Sequence, residues 1–514
     1  MKIDLFDYLK KIKIQYKIAF LSTIIFGFLS QGMGIFNKYS YSDDIGGLFT
    51  LGATVTSGRW MLELVSKLEK LIFGDGTFSM PIINGIISFI YIGIAACLIV
   101  SLFEIENKTL CACLGGIMIV FPTITGLFGY MFTLPSYMLG MLLGVIGAYI
   151  VCKNNNWKIV FGIIFMTLCV GIYQAFIPFI IGIFVIWLIK YTTEHSYNIF
   201  DIIKQILKII ISVILFVGLY FLINSIFISY YNVELTTYQG INTMGKESIS
   251  DYISRIVYAY GRFFILNEKS QYYMYYGNIK LIYYFIIIIT IILMIILIID
   301  IFKINKINSV ILTLLFFSIP LASNFIFVMV NPKYVHALMV YGQIIPIILL
   351  IVLLDNDAVN NKYIRILSTI GTIVILILNV MYCRFDNQCY LKATFSQQEA
   401  ISYFTTLITR IKSCEDYDDD FPVSFIFVDG KHIEDKTMYI MSELDYIRIM
   451  PYDNQFDYVN NYVWKIYMKR WCGYDPNIID GSDLLDNIEV LNMSCYPDAG
   501  SIKVVDNRIV VRFQ

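Results

Sequence analysis

Charge is what this chain has least of. Only 15% of its 514 residues are Asp, Glu, Lys or Arg, while 58% are hydrophobic; water-soluble domains carry roughly 25% charge. That balance excludes an ordinary soluble globule and makes a membrane the solvent. The formal net charge of −1 leaves no basic surplus for a phosphate backbone, so nucleic acid drops out as a partner. The C-terminal part has neither a glycine-rich phosphate loop nor a serine or cysteine triad spacing, and no internal repeat or low-complexity linker is present. Histidine occurs three times, at His195, His336 and His432. An acyltransferase centre at His336 has only Asn331 beside it, and an interfacial hydrogen bond is the plainer role. The ten cysteines split into Cys97, Cys111, Cys113, Cys152 and Cys169, and Cys383, Cys389, Cys414, Cys472 and Cys495. An odd number in the tail argues against a strict disulfide framework, though one or two bridges fit. Cys111 and Cys113, two apart on a helix, point in different directions and do not make a metal site.

What the chain has instead is apolar runs. Crossing a hydrocarbon core of about 30 Å takes roughly 20 residues, and eleven stretches approach that length: 16–36, 79–103, 109–128, 131–151, 157–173, 175–190, 206–229, 279–302, 309–330, 334–354 and 364–382. The fifth and sixth are divided only by Tyr173-Gln174-Ala175 and Pro178. Lys2, Lys10, Lys11, Lys13 and Lys17 place the N-terminus in the cytoplasm by the positive-inside bias. Counting alternately puts Lys108, Lys153, Lys158, Lys190, Lys204, Lys208, Lys303, Lys306, Lys362 and Arg365 on the same side. With an odd count, 37–78, 230–278 and everything after about 383 then lie outside. The first span is followed by acidic residues and an amphipathic stretch, so it reads as an anchor and not as a cleavable signal peptide.

The expected architecture is a polytopic α-helical membrane part, 1–382, followed by an extracytoplasmic soluble α/β domain, 383–514. In the tail, Ser396-Gln397-Gln398-Glu399 has the pattern of a capping box, continued by Ile401, Phe404, Leu407, Ile408 and Ile411 as an amphipathic helix. A strand at Phe425-Ile426-Phe427-Val428, ending at Asp429-Gly430, and a terminal hairpin turning at Asp506-Asn507 complete it.

The first outer segment carries the most information. Trp60, Met61, Leu64, Val65, Leu68, Leu71 and Ile72 recur at helical spacing opposite Glu63, Ser66, Lys67, Glu69 and Lys70, the pattern of a helix lying in the membrane interface. Before it stands an acidic pair, Asp43-Asp44. One carboxylate caps the interfacial helix, or one serves as general base toward a sugar hydroxyl; the residues alone leave both open. The segment 230–278 is crowded with tyrosine, including Tyr238, Tyr258, Tyr272 and Tyr273, and carries Lys246, Arg255 and Arg262. An interfacial belt and a set of stacking surfaces for sugar rings both fit it.

Tyr41-Ser42-Asp43-Asp44, Gly58-Arg59-Trp60 and Gly171-Ile172-Tyr173-Gln174-Ala175, in that order on a chain with a cytoplasmic start and an outer tail, resemble the phage-type O-antigen glucosyl transferase II family. The resemblance covers the membrane part and implies a GT-C-like fold. It implies a hexosyltransferase, most simply a glucosyltransferase, that draws on a polyprenyl-phosphate-linked donor and serves a cell-surface glycan. Asp43 or Asp44 is then the catalytic base. Arg59, Lys333 and Arg262 are candidates for the donor phosphate, each with a snorkelling or topology-fixing role as the alternative. Tyr173, Gln174 and Trp60 are candidate substrate contacts, with helix–helix hydrogen bonding as the plainer role of the polar pair. An inverting displacement needs one base and no metal, since arginine or lysine neutralises a monophosphate, although Asp43 and Asp44 together suit Mg²⁺ or Mn²⁺. The alternatives are a transporter or flippase of lipid-linked sugars, which would show inverted repeats and midplane charges, and a surface-polysaccharide polymerase.

Overall fold

An apolar run surrounded by lipid has no water to bond its backbone, so it closes its hydrogen bonds internally as a helix. The computed structural model describes residues 10–39, 42–47, 50–74, 76–195, 198–237, 247–266, 274–355, 362–428, 442–453 and 459–514. Lys2, Tyr41, Tyr238, Lys246, Tyr272, Tyr273, Asp429, Gly430 and His432 fall outside them. The chain divides into two units. The first comprises Met1–Lys38, Gly47–Cys389 and Arg448–Met450; the second comprises Tyr39–Gly46, Tyr390–Ile447 and Pro451–Gln514.

The helices of the first unit are α1 (Ile14–Phe36), α2 (Trp60–Phe73), α3 (Pro81–Phe103), α4 (Lys108–Val120), α5 (Pro122–Phe128), α6 (Leu134–Lys153), α7 (Ile159–Ile172), α8 (Ile177–Glu194), α9 (Ile199–Tyr231), α10 (Ile249–Phe264), α11 (Asn278–Ile304), α12 (Lys306–Ser323), α13 (Ile326–Met329) and α14 (Ile345–Leu354). The start of α15 (Lys362–Lys412) also belongs to it. Among the described residues eight helices are long and apolar enough to cross a membrane, or nine with the bent pair α4–α5.

Three of the eleven expected spans are broken or short, and each has a local cause. The third bends by 42° where Pro122 follows α4. The fifth, α7, is only 14 residues long because the chain leaves the helix at Tyr173. The tenth is helical only over Ile345–Leu354. Its first half is instead a series of 3-10 turns, Pro332–Tyr334, Ala337–Met339 and Tyr341–Ile344, between Pro332 and Pro346. Polar side chains tie the helices together inside: Thr23 Oγ1 donates to Gly115 O at 2.9 Å, Gln31 Nε2 to Thr125 Oγ1 at 2.9 Å, and Asn379 Nδ2 to Cys113 O at 3.2 Å. Helix α2 turns Trp60, Leu62 and Val65 into the unit and leaves Leu64, Leu68, Leu71 and Ile72 exposed, an apolar face suited to lipid. All ten cysteines are free thiols.

In the second unit, β1 (Val423–Phe427), β2 (Ile502–Val505) and β3 (Arg508–Phe513) form a sheet of order β1-β3-β2. β1 runs parallel to β3, and β2 pairs antiparallel with it through left-handed Asp506 and Asn507. A helix, α16 (Trp464–Trp471), packs with the second half of α15 over the sheet in a core containing Phe404, Leu407, Ile411, Trp464, Met468, Ile509 and Phe513. Ser396 does not cap a helix, because α15 runs through it. The buried stripe Tyr382, Phe385, Cys389, Ala393, Ser396, Ala400, Phe404, Leu407 and Ile411 repeats every three or four residues and puts Ser396 on the packed face.

The second unit also takes in the acidic pair. Ser42–Ile45 is a single 3-10 turn whose Ile45 is fully buried in that core, and Arg470 Nη1 donates to Ile45 O at 2.9 Å and Gly46 O at 3.3 Å. Ile45→Ala removes a buried anchor, and such truncations cost about 2–5 kcal/mol. The expected result is faster proteolytic cleavage within 390–514 of the purified full-length protein, and an unchanged cleavage rate would count against this packing.

Candidate functional site

The cluster grows from two places where the chain stops being helical. Thr54 to Ser57 forms a tight turn, Gly58 leaves it in the left-handed region at φ 69°, and Arg59 stands at the N-cap of α2 with its N–H on Thr54 O at 2.9 Å. Gly58 is required twice over. A Cβ there would sit 2.6 Å from Tyr220 Oη and 2.9 Å from Gln174 Nε2, and the left-handed backbone disfavours any side chain. At the end of α7 the extended Tyr173 turns Gln174 toward this loop. Gln174 Nε2 donates to Ser57 O and Gly58 O, both at 3.0 Å, and to Tyr220 Oη at 2.9 Å, while the Tyr220 hydroxyl donates to Gly58 O at 3.0 Å. The two sequence motifs therefore meet, and Trp60 fills the remaining gap. Trp60 is buried against Phe227, with Gly171 so close that a Cβ on it would lie 2.6 Å from the indole.

The product of this clasp is a fixed cation. Arg59 Nη1 donates to Tyr137 Oη at 2.9 Å, and its guanidinium carbon lies 5.3 Å from the ring centre of Tyr173 and 5.8 Å from that of Tyr137. The two rings stack 4.5 Å apart at 15°. Arg59 is half-buried, and arginine over aromatic faces is attracted by about 0.5–2 kcal/mol per contact. The Tyr173 hydroxyl donates to Leu338 O at 3.3 Å, which ties the turns 332–344 to the same place. His336 is buried there, its Nδ1 has no hydrogen-bond partner among the described residues, and the charge of Arg59 acts on it. The expectation of an interfacial hydrogen bond for that nitrogen does not hold.

Lys333 is exposed on the turn Pro332–Tyr334, its Nζ 4.6 Å from the Tyr334 ring centre. Arg262 is half-buried in the last turn of α10, 4.9 Å from the ring centre of Tyr258. Asp43 is exposed and Asp44 fully buried, both in the second unit. Neither caps α2, whose N-cap is Arg59. Sequence reasoning passed over Tyr137 and Tyr220. For Tyr220 a signal existed, since a hydroxyl and Asn224 one turn apart in an otherwise apolar span demand partners; Tyr137 had none. It also passed over Asp386, fully buried on α15 and facing Thr125. No three His, Cys, Asp or Glu side chains stand together as metal ligands among the described residues.

Comparison with protein families matches residues 32–347, more than half of the chain, to the glucosyl transferase GtrII family. The chain belongs to that family. No curated protein and no solved structure matches it. A GtrII-family chain whose helices suit a membrane is a membrane-embedded glucosyltransferase acting on a glycan, which sets the transporter alternative aside. The GtrII match encloses Asp43, Asp44 and the whole Arg59 cluster and stops short of Asp386.

Two substitutions test the clasp. Gln174→Leu leaves Ser57 O without its side-chain donor, at about 1–3 kcal/mol for a buried group, and Gly58 O with the Tyr220 hydroxyl alone, and Gly58→Ala adds left-handed strain to a steric overlap. Both should lower the melting temperature in detergent, Gly58→Ala more. A parent-like melting curve for Gly58→Ala would contradict the geometry.

Proposed function

We propose that this GtrII-family enzyme moves glucose from a polyprenyl-phosphate carrier to a cell-surface glycan on the outer face of the membrane, in one inverting displacement. The observation that carries the reading is Arg59, a permanent cation held by Tyr137 and Tyr173 within the segment that defines the family. A sugar leaves a polyprenyl phosphate only if the departing oxygen's charge is met. Arginine meets it with two parallel N–H donors and a charge that no accessible pH removes. Tyr173, Gln174 and Trp60 then form the wall against which the sugar lies, and Lys333 and Arg262 are further cations for the carrier's phosphate.

The carrier's chain needs an apolar berth. A cavity of about 350 Å³ lined by Phe263, Phe264, Ile287, Ile291, Phe316 and Pro320, among others, supplies one next in sequence to Arg262. The acceptor hydroxyl needs a base as it attacks the anomeric carbon, and Asp43 or Asp44 takes that proton. The base acts alone because an inverting displacement has no second carboxylate step, and no metal is required where arginine neutralises the phosphate. In this reading the chain is multi-pass, with its N-terminus in the cytoplasm and residues after about 383 outside.

The purified enzyme should transfer label from polyprenyl-phosphate glucose to a glycan acceptor. Arg59→Ala should abolish most of that transfer, with Arg59→Lys recovering only part because the fork geometry is lost. Asp→Asn at the true base should cut turnover by about 10²- to 10⁴-fold per folded molecule, and both single variants within about threefold of the parent would remove the pair from the mechanism. A reporter fused after Gln514 should read as extracytoplasmic; a cytoplasmic signal would overturn the outer-face assignment.

A further inference from the structure

We propose that His336 is a second ligand for the phosphate of the lipid-linked donor, acting beside Arg59. The proposal rests on the reading above that the donor is phosphate-linked, and its own basis is a nitrogen without a partner. His336 is 8% exposed, and its Nδ1 makes no hydrogen bond among the described residues. Burying a polar group without a partner is unfavourable, and such groups persist where something absent from the bare protein completes them.

Its surroundings select what that something is. Tyr173 links the Arg59 guanidinium, which stands over its ring, to the turn that begins at His336, where its hydroxyl donates to Leu338 O. The charge of Arg59 acts on the His336 imidazole, so the two groups belong to one neighbourhood. A charge on the buried imidazole, within the field of Arg59, is costly, so the ring serves as a neutral N–H donor. A hydroxyl would satisfy one of the two groups. A phosphodiester has several acceptor oxygens and a single negative charge, which Arg59 balances while His336 adds a hydrogen bond without adding charge. As the bond from the anomeric carbon to the phosphate oxygen breaks, that oxygen keeps the electron pair and the phosphate gains a second negative charge. Fixed donors aimed at developing charge strengthen at that moment.

The turn that His336 begins closes through its backbone, with Met339 N donating to His336 O at 3.0 Å, and the next turn, Tyr341–Ile344, is tied down by side chains. The Tyr341 hydroxyl donates to Met118 O at 2.8 Å, Gln343 Nε2 donates to Asn324 Oδ1 at 3.0 Å, and the Tyr275 hydroxyl donates to Gln343 Oε1 at 2.9 Å. His336 can therefore be changed without dissolving the turn that carries it.

The test is a titration of the full-length protein in detergent with farnesyl phosphate and, in parallel, with farnesol, which has the same chain and no phosphate. His336→Leu should weaken farnesyl phosphate binding by about tenfold or more, as loss of a hydrogen bond to a charged group does, and leave farnesol binding and the melting temperature as in the parent. His336→Asn, which places an amide N–H near the Nδ1 position, should recover part of the phosphate affinity. Phosphate affinity within threefold of the parent for His336→Leu, or an equal loss for farnesol, overturns the proposal. The donor reading is tested separately: a parent that binds farnesyl phosphate through His336 but transfers no glucose from polyprenyl-phosphate glucose upholds this site and defeats that reading. A parent that transfers, with His336→Leu binding and transferring equally well, defeats this site alone.

Discussion

The side-chain amide of Gln174 directs both of its N–H donors at one short stretch of chain and at the tyrosine that shares it. Ser57 O and Gly58 O accept from it, and Tyr220 Oη accepts from it while donating onward to Gly58 O. Remove that amide and Ser57 O loses its side-chain donor while Gly58 O keeps only the Tyr220 hydroxyl. Everything else in the cluster follows from the clasp. Gly58 must be glycine because the clasp puts Tyr220 Oη and Gln174 Nε2 where they would overlap any Cβ on it. Trp60 can pack only because Gly171, three residues before Gln174, has no side chain. Arg59, between Gly58 and Trp60, has no freedom left except in its own side chain, which Tyr137 then takes up.

This order of dependence explains why α7 ends where it does. Fourteen residues make a helix of about 21 Å, short of the roughly 30 Å core. The missing length is the extended Tyr173 and the 3-10 turn after it. An uninterrupted helix would have kept Gln174 in the helical repeat and lost the polar turn. Irregular backbone inside a bilayer survives only where protein covers it. Tyr137, Leu338 and the loop of Gly58 provide that cover, and in doing so they create a polar, cationic place walled by aromatic rings.

Much of this was legible in the sequence, unevenly. The apolar runs declared themselves because hydrophobicity over a dozen residues is a local property, and the amphipathic character of α2 could be read from its spacing. The motifs around Arg59 and Gln174 also stood out, each as a polar interruption at a helix end. What could not be read was that they touch. Tyr137 and Tyr220 join the cluster from α6 and α9, whose residues carry no mark of their partners. The tail shows the same limit in reverse. Ser396 to Glu399 has the local form of a helix start, but the stripe from Tyr382 to Ile411 buries one face of a single helix, and packing over many turns outweighs a capping preference worth about 1 kcal/mol.

The least local feature is the acidic pair. Asp43 and Asp44 lie in the sequence between α1 and α2 of the first unit, yet their conformation is decided by the second. Ile45, the next residue, is among the side chains that close the core around Phe404 and Trp464, and Arg470 grips the carbonyls of Ile45 and Gly46. A 3-10 turn with one end anchored so firmly cannot rotate. It presents Asp43 to solvent and Asp44 inward for the same reason that successive residues of a tight turn point in different directions. The direction of both carboxylates is thus set by the folding of the second unit, and a change in its core reaches them through one isoleucine.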